Sequence, residues 1–215
     1  MIYEELLPAL LAQYDPQRPY RPGSPWVGAD PDDQLRGDRH TWEVWGRSAL
    51  PYQHYKELGG RFVSEFGMQA APSLATLQAC LEPQDLQLWS AGFENRNRAS
   101  EGARRLNAYI TDSLPLPSDL ETYVYATQLI QSEAIGYAHR IWRREFKWPG
   151  RNGNSGALVW QLNDCWLGVS WSLINSSGHR KMAYYAAKRA LAPFAVGMEI
   201  VGDITNLWAV GGTLH

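Results

Sequence analysis

The sequence has little of what several classes of protein require. Only two of its 215 residues are cysteines, Cys80 and Cys165, and their spacing fits no metal site, so we expect two free and mostly buried thiols. No apolar stretch approaches the roughly 18 residues that a membrane-spanning helix needs. The net charge of −2 and the lack of a Lys/Arg run leave no basic surface. We therefore expect neither nucleic acid nor a membrane as a partner.

Histidine is also scarce, and no pair of histidines has ligand spacing with a carboxylate. The five are His40, His54, His139, His179 and His215. We therefore expect no metal and no cofactor. Aromatic residues with a polar edge are abundant instead, with 10 tryptophans and 11 tyrosines. Such side chains suit the faces of sugars, although a large apolar core would explain some of them equally well.

Strand-like and helix-like segments alternate along the chain. The apolar periodicity predicts helices over 2–13, 51–59, 72–80, 119–146 and 180–191 and another helix beginning at 82–86. The polar residues 91–107 predict a surface loop with helical turns. Ser118 and Glu121 resemble a capping box that opens the longest helix. Two buried strands are predicted, at 61–66 and at 157–166, with 170–174 continuing the second. This alternation favours parallel βα units whose functional groups gather at the carboxyl ends of the strands.

Two stretches carry the residues best suited to chemistry. Glu65 ends a strand-like run, where it is either paired with a nearby arginine or acts as a catalytic carboxylate at the mouth of a barrel. Residues 38–45 interleave indoles with ionisable groups. This second stretch is either an amphipathic edge strand or the lip of a pocket in which indoles form a platform and polar side chains reach the ligand.

The number of strands sets the size of the expected fold. A complete (β/α)8 barrel needs about 250 residues, and only three or four strands precede residue 194. Residues 194–214 alternate in the manner of the first two strands of a separate β domain. We expect residues 1–193 to form part of a barrel and residues 194–215 to begin a second domain. On this view the chain is a fragment of a longer protein or works with a missing partner.

Four motifs resemble the β-mannosidases of glycoside hydrolase family 2. They are GDRHTWEVW at 37–45, RFVSEFGMQ at 61–69, ALVWQLNDCWLGVSWSLI at 157–174 and KMAYYAAKRALAP at 181–193. The resemblance extends from about Tyr14 to Pro193, and the WQLND and SWS segments are typical of the mannosidase branch. It implies an α/β fold, namely the C-terminal half of the catalytic (β/α)8 TIM barrel followed by the first strands of a β-sandwich domain.

The resemblance also implies a retaining exo-β-mannosidase, a hydrolase that removes terminal β-linked mannose from the non-reducing end of oligosaccharides. Glu65 would be its nucleophile, with His40 and a tyrosine as candidate hydrogen-bond donors, and Trp160 would be the platform for the bound mannose. The other implied substrate-binding residues lie at neighbouring strand ends: Asp38, His40, Trp42, Asn163, Asp164 and Trp166.

One part of the expected machinery is absent from the sequence. A retaining glycosidase needs two carboxyls about 5–5.5 Å apart, and the family's acid/base glutamate follows an asparagine. No Asn-Glu pair precedes Glu65. We expect the missing N-terminal part of the protein to carry this group, so that the chain alone is inactive or nearly so.

Two other functions stay open. The chain could be a non-catalytic carbohydrate-binding fragment, in which the indoles bind sugar and Glu65 is incidental. It could also come from another family 2 glycosidase, such as an exo-glucosaminidase. The sequence does not decide between a cytoplasmic and a secreted protein, because a missing N-terminus would remove any signal peptide from view.

Overall fold

The computed structural model of the protein describes residues 1–26, 36–46, 48–146 and 153–212. The strands in these ranges are β1 (Arg39–Thr41), β2 (Val63–Phe66), β3 (Ala157–Val159), β4 (Phe194–Val201) and β5 (Ile204–Gly211). The α-helices are α1 (Leu7–Tyr14), α2 (Leu74–Gln78), α3 (Ala91–Asn95), α4 (Gly102–Thr111), α5 (Leu120–Arg144) and α6 (Met182–Ala190). A π-helical turn at Ile2–Leu6 and 3₁₀ turns at Tyr52–Lys56 and Pro83–Asp85 complete the elements. None of the described helices has the length and apolar content to cross a bilayer.

The first three strands form one parallel sheet in the order β1-β2-β3. His40 pairs with Glu65 and Phe66 pairs with Val159, so the carboxyl ends of the three strands lie side by side. The central strand, β2, is fixed by Val63 and Phe66, which are fully buried. The prediction of an α/β chain with parallel strands and polar groups at their carboxyl ends is therefore confirmed.

The second predicted strand is much shorter than expected. β3 ends at Val159, and the chain then folds back on itself instead of continuing the sheet. Gln161 N–H donates to the Trp171 carbonyl, and Leu173 N–H donates to the Gln161 carbonyl. The predictions of a strand to residue 166 and of its continuation over 170–174 were wrong, because several backbone groups of these residues bond to one another within the loop, and Ser170 forms only an isolated bridge with Ala70.

The surface loop with helical turns predicted over 91–107 was right about the helical turns and wrong about the surface loop. This region contains α3 and most of α4, and it buries Phe93 and Leu106. Ser90 caps α3 by accepting a hydrogen bond from the Phe93 N–H. The helix predicted to begin at 82–86 is only the 3₁₀ turn at Pro83–Asp85. Short helices like these have too few residues to show a clear apolar period.

The long helix α5 organises the core. Its predicted span is nearly correct, but its cap is Asp119 and not Ser118, because the Asp119 carboxylate accepts hydrogen bonds from the Thr122 N–H and hydroxyl. Near its other end the Trp142 indole donates to the Tyr55 carbonyl at 2.8 Å. In the middle, Gln131 donates to the carbonyls of Met68, Trp171 and Ser172, which ties the segment after β2 to the loop after β3.

The two ends of the chain carry exposed apolar faces. The helix predicted over 2–13 is present as the π turn and α1, but neither element buries any residue, including the predicted stripe of Leu6, Leu7, Leu10 and Leu11. The predicted β stretch near the C-terminus is present as the antiparallel hairpin β4–β5. The hairpin is held to α5 by the Arg144–Glu199 ion pair. Whether it belongs to a separate domain stays a prediction, and residues 213–215 lie outside the described ranges.

We expect the protein to lose stability in acid because of His139 on α5. Burial lowers the pKa of His139 from 6.5 to about 4, its Nε2 has no hydrogen-bond partner among the described residues, and its ring lies edge-on to Phe66. The unfolded chain therefore binds the extra proton between pH 6.5 and 4, which lowers the free energy of unfolding by about 3 kcal/mol over this window. Urea unfolding at pH 6.5, 5 and 4 measures the loss.

The variant His139→Phe keeps a ring of similar size without a titrating group, so its free energy of unfolding should fall less between pH 6.5 and 4. His54→Gln is the control, because His54 is exposed. An equal acid slope in wild type and His139→Phe would show that other groups cause the loss.

Candidate active site

Glu65 stands at the carboxyl end of the central strand β2, and its side chain is 27% exposed. The Trp42 indole donates to Glu65 Oε2 at 3.1 Å, and His40 Nδ1 lies 3.3 Å from the same oxygen. The predicted donor His40 is therefore in place. The second donor among the described residues is Trp42 and not a tyrosine. Both contacts end on one oxygen, which leaves Oε1 without a described partner.

The other side of His40 leads to a second carboxylate. His40 Nε2 lies 3.1 Å from Ser24 Oγ, and the Ser24 hydroxyl donates to Asp38 Oδ2 at 2.6 Å. Ser64 also donates to this carboxylate. Burial by itself would raise the pKa of Asp38, but the hydrogen bonds from Ser24 and Ser64 outweigh it and hold that pKa below its usual value. Ser24 and His40 thus connect Asp38 to Glu65 by hydrogen-bonding contacts.

Trp160 follows β3 directly and lies beside the strand that carries Glu65. The backbone N–H of Trp160 donates to the Phe66 carbonyl at 2.7 Å, which continues the β2–β3 pairing by one residue. The side chain is 42% exposed, which is high for an indole in an ordered segment. An exposed flat ring at the carboxyl end of a neighbouring strand is a surface on which a sugar can stack.

Asp164 is buried in the loop after β3. Its carboxylate accepts hydrogen bonds from Ser170 at 2.7 Å, from Ser172 at 2.6 Å and from Gln161 at 3.1 Å. These donors shape the loop that follows Trp160. The predicted residue Asp164 is thus close to the site in the chain, but its carboxylate is engaged by the protein.

Lys181 joins the two segments that follow β2 and β3. Its ammonium donates to the Ala70 carbonyl at 3.0 Å and to the Ser170 carbonyl at 3.2 Å, and Ala70 and Ser170 also form a backbone bridge. The residue is fully buried, and this burial lowers the pKa of Lys181 to about 7 even though the Asp164 carboxylate opposes the shift. Lys181 therefore holds the segment that follows β2 against the segment that follows β3.

The remaining predicted residues, Asn163 and Trp166, are exposed. The Arg98 guanidinium stacks on the Trp166 ring at 4.3 Å and donates to the Leu167 carbonyl, which fixes the orientation of the ring. Trp166 borders a cavity of about 620 Å³ that both cysteines also line. Both thiols are free as expected, but Cys165 is exposed and not buried. No cluster of three or more His, Cys, Asp or Glu side chains that could hold a metal occurs in the described part of the chain.

Several residues that build the site were missed from the sequence. Ser24 lies in a proline-rich segment that predicts a loop, and Ser64 was passed over in favour of Glu65. The sequence predicts Lys181 only as part of the helix over 180–191. No sequence signal identifies these residues, because each acts on a partner that is distant in the chain. Ser64 is the partial exception, since a hydroxyl inside a buried strand needs a hydrogen-bond partner.

We expect Gly67 to be required for the position of Trp160. A Cβ placed on Gly67 would lie 2.1 Å from the Trp160 carbonyl oxygen, so Gly67→Ala must push the two strand ends apart. We expect a loss of at least about 1–3 kcal/mol in the free energy of unfolding, as for other overpacked sites. Urea unfolding measures this loss.

The matched control is Gly211→Ala in β5, where the new methyl group would meet only Phe194 at 3.9 Å. Equal stability of the two variants would contradict the close approach of Gly67 and Trp160.

Comparisons with known proteins find close similarity to one enzyme class. The chain is 42% identical over 203 residues to β-mannosidase B of Thermothelomyces thermophilus and 43% identical over 200 residues to that of Aspergillus niger, and each match covers 92% of this chain. The chain spans only 24% of the length of each of these relatives. No family profile matches the sequence. The resemblance to β-mannosidases that the four motifs indicate is thereby confirmed.

Solved structures give the same result. The crystal structure of the β-D-mannosidase from Dictyoglomus thermophilum superposes with a TM-score of 0.90 at 37% identity, over 98% of this chain and 25% of that one. The exo-chitosanase of Amycolatopsis orientalis superposes with a TM-score of 0.61 at 21% identity over 75% of this chain, which is a likeness of fold alone.

Proposed function

We propose that this chain, which is homologous to about a quarter of the length of β-mannosidases, forms part of the catalytic domain of a retaining exo-β-mannosidase. Glu65 is its nucleophile. The observation that carries this proposal is the position of Glu65 at the end of the central strand, where His40 and Trp42 both bind Oε2. This arrangement orients the carboxylate and leaves Oε1 to attack the anomeric carbon.

The topology of the parallel sheet supports the proposal that it is part of a (β/α)8 barrel. Its strands are parallel, follow one another in chain order and present their polar residues at one end, as the sixth, seventh and eighth strands of a (β/α)8 barrel do. We propose that residues 1–193 are the C-terminal half of such a barrel. Residues 194–215 then begin the β-sandwich domain that follows it.

The predicted substrate-binding residues take two different roles in this proposal. Trp160 stacks on the mannose, and Asn163 and Trp166 border the path of the rest of the substrate. Asp38 and Asp164 have their carboxylates engaged by serine hydroxyls, so we assign them to the shape of the site and not to contact with sugar.

We propose that a part of the protein beyond these 215 residues supplies the second carboxyl, since the chain spans only 24% of the length of its relatives. Among the described residues, the side chains that contact Glu65 are an imidazole and an indole, and neither is the acid/base carboxyl that the retaining reaction needs about 5–5.5 Å from the nucleophile. In this proposal the chain alone does not protonate an ordinary glycosidic oxygen. It retains the group that forms the covalent intermediate, and this group needs no acid when the leaving group is already a stable anion.

Covalent labelling tests the proposal. The purified chain is incubated with 2-deoxy-2-fluoro-β-D-mannosyl fluoride, whose fluoride leaves without an acid catalyst. Intact mass spectrometry should find one added fluoromannosyl group, and peptide mapping should place it on Glu65. An unlabelled chain, or a label on another residue, would contradict Glu65 as the nucleophile.

The same experiment separates the alternatives. A non-catalytic carbohydrate-binding fragment would bind mannosides but would not be labelled. An exo-glucosaminidase would be labelled faster by the gluco-configured 2-deoxy-2-fluoro reagent than by the manno-configured one. Only faster labelling by the mannosyl reagent supports the β-mannosidase.

A further inference from the structure

A chain of hydrogen bonds connects Asp38 to Glu65 through two residues. Ser24 Oγ lies 2.6 Å from Asp38 Oδ2 and 3.1 Å from His40 Nε2, and His40 Nδ1 lies 3.3 Å from Glu65 Oε2. Each of these three contacts lies within hydrogen-bonding distance or slightly beyond it. The four groups therefore share a limited number of protons, and the positions of those protons can be worked out.

The hydroxyl proton of Ser24 points toward Asp38. An ionised carboxylate can only accept hydrogen bonds, so Ser24 and Ser64 both direct their hydroxyl protons toward it. Ser24 Oγ also lies 3.2 Å from Ser64 Oγ, but the charge-assisted contact at 2.6 Å is the stronger of the two. Ser24 therefore presents only lone pairs to His40.

The protonation state of His40 follows from the orientation of the Ser24 hydroxyl. Its Nε2 must carry a proton in order to donate to Ser24. A neutral imidazole has one N–H, so Nδ1 would then present a lone pair to the lone pairs of Glu65 Oε2 at 3.3 Å. That contact is repulsive unless it also contains a proton. The arrangement that satisfies every contact is a doubly protonated His40 between Ser24 and an ionised Glu65.

We propose that Ser24 is a positioning residue for the candidate nucleophile: by accepting from Nε2, it holds His40 as an imidazolium that donates to Glu65. Ser24 does not touch the substrate and acts only through His40. The proton placement stands on the geometry alone. Its consequence for catalysis rests on the proposed function, because an ionised Glu65 needs a fixed orientation only if it is the nucleophile.

Nitrogen NMR of the histidine rings tests the proton placement in the 215-residue chain without any substrate. The His40 signals are assigned by their loss in His40→Gln. We expect both ring nitrogens of wild-type His40 to be protonated at neutral pH. In Ser24→Ala, Nε2 loses its acceptor, and His40 should become a neutral ring protonated on Nδ1 alone. Ser24→Thr keeps the hydroxyl and should restore the wild-type signals.

Ser64→Ala is the matched control, because it removes the other hydroxyl on Asp38 without touching His40. Its His40 signals should match those of wild type. An unprotonated Nε2 in the wild-type chain would overturn the proposal, and this outcome does not depend on the folding of Ser24→Ala. Identical His40 signals in Ser24→Ala and wild type would also overturn it.

The rate of fluoromannosyl labelling gives the catalytic readout. We expect Ser24→Ala to slow labelling by about 10- to 100-fold, the range found when a partner that orients a metal-bound histidine is removed. Ser64→Ala should slow it much less. If wild-type NMR gives a doubly protonated His40 but no label forms, the proposed function fails while the proton placement stands. If labelling proceeds but is insensitive to Ser24, the positioning role fails.

Discussion

Replacing Glu65 by Gln is expected to abolish the covalent adduct and, in an intact enzyme that contains this chain, to lower kcat by on the order of 10⁴- to 10⁶-fold, as loss of a residue central to covalent catalysis does elsewhere. The amide has nearly the same shape as the carboxylate but cannot attack the anomeric carbon. Because Trp42 can still donate to the remaining carbonyl oxygen, the pocket should keep its form. Hydrolysis of an aryl β-mannoside measures the rate in the intact enzyme, and intact mass measures the adduct on the chain.

Glu57→Gln is the control, because Glu57 is an exposed carboxylate in the same part of the chain that pairs only with His54 and Lys56 among the described residues. This variant should label and turn over at the wild-type rate. A Glu65→Gln enzyme that retains near-normal turnover would remove Glu65 from the role of nucleophile.

Trp142→Ala is expected to cost about 3–5 kcal/mol of unfolding free energy, the range for deleting a large buried ring. Trp142 is only 1% exposed, and its ring lies edge-on to Phe66 at 4.7 Å and to Tyr55 at 5.3 Å. Phe66 follows Glu65 in β2, so the cavity would open directly beneath the strand end that carries the site. Urea unfolding followed by far-UV circular dichroism measures the loss.

Two further variants separate the causes. Trp142→Phe keeps a ring but leaves the buried Tyr55 carbonyl without this donor, so its cost should be about 1–3 kcal/mol. Trp89→Ala removes a partly exposed indole and should cost less than Trp142→Ala. A cost for Trp142→Ala no larger than that for Trp89→Ala would contradict its place in the core.

The positions of Glu65 and Trp160 could be predicted because they depend on local sequence. In both cases apolar residues of a strand run into polar ones, and parallel strands bring such ends together. The prediction that the second strand is buried was wrong, because Leu158 in β3 is 55% exposed. The partner of Glu65 was predicted only in part. His40 lies on the adjacent strand in register with Glu65, whereas the choice of an indole over a tyrosine depends on how the chain turns after β1.

The roles of the carboxylates could not be predicted from the sequence. Asp38 and Asp164 stand in the same kind of polar cluster as Glu65, yet serine hydroxyls occupy both of them. A sequence pattern indicates that a carboxylate is near a strand end but not which way it faces. The cap of α5 shows the same limit at short range, since Ser118 and Asp119 are both good caps and only the backbone conformation selects Asp119.

The hairpin β4–β5 has a consequence for how these variants are measured. One of its faces presents Phe194, Val196, Met198 and Ile200, each more than 60% exposed in the folded chain. A contiguous apolar face of this kind binds environment-sensitive dyes such as ANS before any unfolding takes place. Dye-based melting curves would therefore begin with high fluorescence and show too small a change on unfolding. Far-UV circular dichroism of the backbone is the better measurement for ranking the variants.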